Sequence, residues 1–208
     1  MSAAHWQAFV DVEYGFDCVL MPGAIMGKPP LAPDGLLYDS RKGNGNPVVV
    51  GDNTIIGCHA VVYEDVHIGR NCLIGDHAVI REGARIGDNC VIGMHVTFGP
   101  AVLFGKGSKV MDHSFIAGYS SIGTDVFIGP HVATTNDNLD TPNPELRGLY
   151  VGRGVRIGAR SVFLPGVTLL AGAQVATGSV VTRDVPEKTL VMGSPARIVG
   201  PARGCGSQ

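Results

Sequence analysis

Five of the seven histidines, His59, His77, His95, His113 and His131, stand eighteen residues apart. A neutral imidazole can take a proton from an attacking nucleophile, and it is also a common transition-metal ligand. The series therefore admits two chemistries, a general base or a metal ladder. Cys72 and Cys90 are eighteen apart as well. The five cysteines include no Cys-x-x-Cys pair, and no Ser or Cys stands in a pattern that suggests a covalent acyl-enzyme. An eighteen-residue spacing needs an element of that circumference.

That element is written in sixes. Every sixth residue from Val50 to Ile128 is apolar, as in Val50, Ile56, Val62, Ile68 and Ile74. The second position of each hexad is mostly glycine, as in Gly51, Gly57 and Gly69. The fifth is small or β-branched, as in Thr54, Ala60, Val66 and Cys72. The register breaks after Ala133 and resumes at Val151, continuing through Ile157, Phe163, Leu169, Val175 and Val181. Six residues are too few for a helical repeat and too many for plain strand alternation. They fit a short strand plus a tight corner, with the apolar first residue and the small fifth residue facing inward. Three such units close a triangular coil of eighteen residues, and stacked coils make a parallel β-helix rising about 4.8 Å per coil. Cys72 and Cys90 then fill inward small slots as buried packing residues.

The histidines fall on the fourth position of the hexad, at one corner of the triangle. A second corner carries Asn53, Asn71, Asn89, Gly107 and Asp125, and a third Asp65, Gly83, Ala101 and Tyr119. Asn, Asp, Gly and His all favour the left-handed backbone of a tight corner, so backbone geometry accounts for most of the column. The break at Thr134–Tyr150, "TTNDNLDTPNPELRGLY", amounts to an eleven-residue insertion leaving the corner above Tyr119. A loop of this length thrown out of a regular solenoid points to function.

The expected organisation is an irregular N-terminal segment and first coil over 1–49, the β-helix over 50–186 with an extruded loop at 135–150, and a C-terminal tail over 187–208. Val19, Ile25, Leu31 and Leu37 set the phase expected for the first coil, and "DSRKGNGNP" from Asp39 reads as an exposed loop. The final "PARGCGSQ" reads as disordered. A net charge of −2 among 208 residues gives no reason to expect nucleic acid or an anionic membrane as partner. No apolar run is long enough to span a bilayer, and no basic leader precedes one. An odd number of irregularly spaced cysteines fits a reducing, cytoplasmic setting.

The hexads together with "SVVTRDVP" and "MGSPARIVG" resemble the hexapeptide-repeat acyltransferases, whose fold is a left-handed parallel β-helix. The handedness, and an all-β solenoid of triangular coils with one extruded loop, are what the resemblance implies. "TND" at Thr135–Asp137 followed by the loop is similar to bacterial N-acetyltransferases that act on UDP-2-acetamido-3-amino sugars. In that group an active-site asparagine occupies a hexad that corresponds here to "MHVTFG", so His95 stands in its place. Asp112 and His113 likewise stand where the group has Asn-Asn. The resemblance implies acetyl-CoA as acyl donor, a nucleotide-linked amino sugar as acceptor, and a homotrimer with active sites between subunits. It implies that Ala159 and Thr177 contact the pantetheine arm, and that Arg183, Lys188 and Arg197 hold the nucleotide end.

Reach selects among the histidines. Gly178 continues the histidine corner four coil steps above His95, about 19 Å. A pantetheine arm about as long as four residues, roughly 13–14 Å, with a pyrophosphate beyond it, spans from Thr177 to His113 or His95. His59 and His77 lie below that range. The reading is direct acyl transfer with His95 as base, His113 beside it, and Tyr119, Asn136, Asp137 and Arg147 binding the acceptor. Two alternatives stand: O-acetylation by the same machinery, and a zinc enzyme like the γ-type carbonic anhydrases. The latter carry two histidines five residues apart on one strand, a pair this sequence does not have.

Overall fold

The structure, a computed structural model, describes residues 7–30, 43–137, 145–202 and 204. Short strands of mostly two residues run along three parallel faces. The first face begins with Gln7–Ala8, the second with Val12–Tyr14 and the third with Val19–Leu20. They hold nine, eight and ten strands among the described residues. Outside two insertions, the coil strands pair with those eighteen residues on, as Val79 with Thr97 and Thr97 with Phe115. The apolar first positions from Val50 to Ile128 are all at most 4% exposed, and they form one continuous column of core.

The small fifth positions do more than save space. At a corner the strand hydrogen bonds lapse, and buried backbone groups need partners. Ser108 Oγ donates to the Gly123 carbonyl at 2.8 Å and accepts the Val126 N–H at 3.0 Å. Thr54 makes the same pair of contacts, to Gly69 O and from Cys72 N–H, at 2.9 and 3.0 Å. Cys72 and Cys90 donate their thiols to Gly87 O and Gly105 O at 3.2 and 3.3 Å. Third-position aspartates clamp from outside. Asp76, Asp88 and Asp112 accept the N–H groups of Cys58, Arg70 and Met94 in the coil below. The bond from Arg70 N–H, and the guanidinium charge behind it, hold the Asp88 carboxyl below the usual carboxylate range. The second-position glycines allow coils to approach: a Cβ on Gly93 would lie 2.7 Å from the Asp112 nitrogen.

The break behaves as the spacing requires. Ser121 pairs with Tyr150, a step of twenty-nine where the uninterrupted coils step eighteen. The eleven extra residues leave face one after Ala133–Thr134 and return on face two at Tyr150–Val151.

Two expectations need correction. In the first coil Val19 and Ile25 face outward, paired with Ile55 and Val61, while Leu20 and Met26 take the inward places. Both residues of each pair are apolar, but sixes counted back from Val50 fall on Met26 and Leu20, so the expected phase is off by one. Ile25 pairs thirty-six residues on, so a second insertion of eighteen residues leaves this same corner before Val48–Val50. Leu31 and Leu37 lie outside the described residues. The described part of "DSRKGNGNP" is exposed apart from half-buried Pro47, as expected of a loop. Its Asn44 and Gly45 N–H groups grip the buried Glu64 carboxylate at 2.5 and 3.2 Å.

The second correction concerns the C-terminus. The segment read as a tail from 187 is a hairpin over Thr189–Gly193 and Ala196–Pro201, which extends face three. Ala202 still donates to Lys188 O at 2.7 Å. The parallel pairing of Val191 with Val175 gives the hairpin a template; of "PARGCGSQ", Pro201 and Ala202 are held in it, and residues 203 and 205–208 lie outside the described residues.

Ser108→Ala orphans a buried carbonyl and a buried N–H, so it should cost about 1–3 kcal/mol of stability. Ser108→Cys, which can repeat the contact that Cys90 makes, should cost less than half as much. Chemical denaturation of the two variants checks this, and equal losses would contradict it.

Candidate active site

The histidine column occupies the corner between faces three and one. All five residues have left-handed φ, from 55° at His59 and His95 to 60° at His113. Their N–H groups fix the stack: His95 donates to Asp76 O at 3.0 Å and His113 to Met94 O at 2.9 Å. The rings are exposed and lie face to face, with centroids 4.9–5.2 Å apart and planes within 14°. Asp112 bonds the Met94 N–H and so braces the turn that presents His95.

The ladder geometry bears on the metal alternative. Equivalent atoms of parallel rings are separated by about the centroid spacing. One zinc ion spans two nitrogens at most about 4.2 Å apart, twice a Zn–N bond. Equivalent nitrogens of neighbouring rings, spaced at about the 4.9–5.2 Å of the centroids, exceed that span. Among the described residues no group of three or more His, Cys, Asp or Glu side chains is arranged to hold a metal.

Above His131 the same corner continues through Arg160, whose N–H donates to Pro130 O at 2.9 Å, and Gly178, whose N–H donates to Ala159 O at 2.8 Å. The four coil steps from Gly178 to His95 are therefore present. Beside this corner a groove of about 280 Å³ runs over face three, lined by Gly158, Ala176, Thr177, Gln174, Arg156 and Phe127. Arg156 and Gln174 also line a second hollow of about 570 Å³ at the corner between faces two and three, where Lys188 stands with Arg153 and Asp125. Lys188 therefore stands across face three from Thr177 and the Ala159 turn. Arg183 and Arg197 line a separate cavity at the C-terminal end. Sequence reasoning missed Arg153 and Arg156. Their only signal was their placing at outward hexad positions.

The loop residues gather at a different corner, between faces one and two. Tyr119 is half-buried there, with φ 64°. Asn136 closes the neck of the loop: its carbonyl accepts the Arg147 N–H at 2.9 Å and its Nδ2 donates to Gly118 O at 3.3 Å. Arg147 pairs with Glu145 at 2.6 Å; that hydrogen bond and charge raise the guanidinium's proton affinity further. Asp137 Oδ1 is buried without a hydrogen-bond partner among the described residues. Six residues of chain, about 20 Å at full extension, separate corner His113 from corner Tyr119. Within one chain the structure groups Tyr119, Asn136 and Arg147 at one edge and His95 with His113 at another.

Residues 47–82 and 65–100 match the bacterial transferase hexapeptide family (six repeats), and residues 148–183 match the hexapeptide repeat of succinyl-transferase. Both stretches of this chain thus carry the hexapeptide repeat. The solved structure of LpxA from Acinetobacter baumannii superposes over 93% of this hexapeptide-repeat chain and 72% of that one, with a TM-score of 0.66 at 18% identity. The fold is the left-handed parallel β-helix that the resemblance implied. Nodulation protein L of Rhizobium meliloti is 42% identical over 87 residues, 38% of this chain and 48% of that protein. The dTDP-3-amino-3,6-dideoxy-alpha-D-galactopyranose 3-N-acetyltransferase of Aneurinibacillus thermoaerophilus is 47% identical over 58 residues, 28% of this chain and 30% of the relative. Galactoside O-acetyltransferase of Lactococcus lactis is 32% identical over 88 residues, 36% of this chain and 42% of that enzyme. The chain spans less than half the length of each of these curated relatives.

His77 tests the backbone role of the column. His77→Val forces a β-branched residue into a left-handed corner and should cost about 1–2 kcal/mol. His77→Gly should stay within about 1 kcal/mol of the parent. Equal destabilisation in thermal melts would assign the cost to ring stacking instead.

Proposed function

We propose that this protein transfers an acetyl group from acetyl-CoA to an amino group of a nucleotide-linked amino sugar. One observation carries the reading: the groove beside Thr177 lies on the same corner as the histidine column, within a CoA arm's reach of His95. The pantetheine arm lies along Ala159 and Thr177, and Lys188 meets the nucleotide end. The thioester carbonyl then comes beside His95 and His113. The amine attacks that carbon, His95 takes the proton from nitrogen, backbone N–H groups at the corner steady the oxyanion, and the CoA thiolate leaves.

The acceptor is held between copies of the chain. Tyr119, Asn136, Asp137 and Arg147 stand about one face away from the column, so the loop corner of one subunit closes over the histidine corner of the next in a homotrimer. The partnerless Asp137 oxygen suits an acceptor N–H or O–H. Outward Ile55 and Leu73, 41% and 42% exposed, give face three an apolar strip that supports such packing.

A second reading, transfer to a hydroxyl, is favoured by the histidine itself, since a hydroxyl must lose its proton as it attacks. The relatives include an O-acetyltransferase as well as the amino-sugar enzyme.

Thiol release from acetyl-CoA, screened against nucleotide amino sugars and their hydroxyl counterparts, separates the two readings. His95→Ala should lower kcat by about 10²–10⁴ while acetyl-CoA still binds. Unchanged turnover in His95→Ala with loss in His113→Ala would move the base one coil up. Loss in neither would remove the histidine base.

A further inference from the structure

Solenoids usually close their ends with polar caps. At the C-terminal end of this one the closure is uneven. Face one ends at Val180–Val181, and face two contributes its last bridge through Val185. Face three rises one strand higher, because Ala196–Pro201 folds back antiparallel on Thr189–Gly193. The result is a cup of about 350 Å³ over the last coil. Its floor is Val181, Val185 and Val191, its wall Ala196 and Ile198, and its rim Arg183, Arg197 and Asp184.

The rim has a defined charge. Asp184 Oδ1 accepts the Thr168 N–H at 2.8 Å and is committed to the coil below. Arg197 makes one hydrogen bond, to its neighbouring carbonyl Ala196 O at 3.0 Å. Arg183 makes no ion pair among the described residues. Two guanidinium groups against one carboxylate leave a single net positive charge above an apolar floor. Guanidinium forks match carboxylates in shape, and the volume is at the small end of small-molecule sites. The cup shares no lining residue with the two hollows along face three.

We propose that this cup is a second binding site, for an amphipathic monoanion: a carboxylate bearing a short aliphatic tail. The tail packs against Ile198 and Ala196, above a floor of Val181, Val185 and Val191 that is already buried, and the carboxylate lies between Arg183 and Arg197. A single net charge favours a monoanion over a phosphate dianion, which separates this site from the nucleotide end of an acyl donor.

Octanoate is the probe, titrated into the full chain by calorimetry, with octan-1-ol and 3′,5′-ADP as comparisons. The expected result is saturable octanoate binding at one site per chain, with octan-1-ol at least about tenfold weaker. The double variant R183Q/R197Q should weaken octanoate by about tenfold or more. Ala196→Leu, which fills the cup and keeps both guanidinium groups, should weaken it as well. Binding of 3′,5′-ADP should survive R183Q/R197Q and fall in Lys188→Gln. Circular dichroism confirms that each variant is folded. Failure of octanoate to bind the parent chain, or binding indifferent to both cup variants, would overturn the proposal. So would loss of 3′,5′-ADP binding in R183Q/R197Q. Octanoate binding needs no acyl transfer, so it stands or falls apart from the reaction proposed above.

Discussion

Every coil hands its backbone hydrogen bonds to the coil eighteen residues on, and the rest of the molecule depends on that register. Side chains of equal phase are stacked because their peptides are. The corner residue must turn left-handed to keep the strands in line, which selects His, Asn, Asp and Gly there. The first position must be apolar because it has nowhere to go but the core. The fifth must be small, and it helps to be Ser, Thr or Cys, because the corner leaves a carbonyl and an N–H to satisfy.

The same register gives one corner several characters at different heights. At His59 the column meets Gly23, where a Cβ would run into the imidazole at 2.3 Å, so the foot of the ladder is a packing contact. At His95 and His113 it is an exposed pair of imidazoles below a groove. At Arg160 and Gly178 it becomes the edge of the groove itself. Chemistry is therefore distributed along the column by distance from the C-terminal coils, and residue type alone does not reveal it. The loop corner lies a face away, so in the proposed function the acceptor site is completed by a neighbouring copy.

What the sequence disclosed and what it hid have a common cause. A period shows in the chain only where it is kept or broken by a fraction. Eleven residues are not a multiple of six, so the insertion after Thr134 broke the pattern and was visible. Eighteen residues are one whole coil, so the insertion between Lys28 and Val48 left the phase intact and was not. Val19 and Leu20 are both apolar, as are Ile25 and Met26, so only sixes counted back from Val50 chose the inward member. The hairpin of Ala196–Pro201 lies outside the period altogether. Arg183, Lys188 and Arg197 looked like one phosphate-binding set because they are near in sequence. The last coil turns between them and divides them among two hollows. Arg153 and Arg156 join Lys188 only once the chain is wound.

The most direct measurement is a crystal structure with CoA bound. The account predicts the pantetheine arm along the Ala159 and Thr177 turns, the nucleotide end at Lys188, and the thiol within hydrogen-bond reach of His95 or His113. A thiol lying away from the histidine corner, or a nucleotide seated between Arg183 and Arg197, would contradict it.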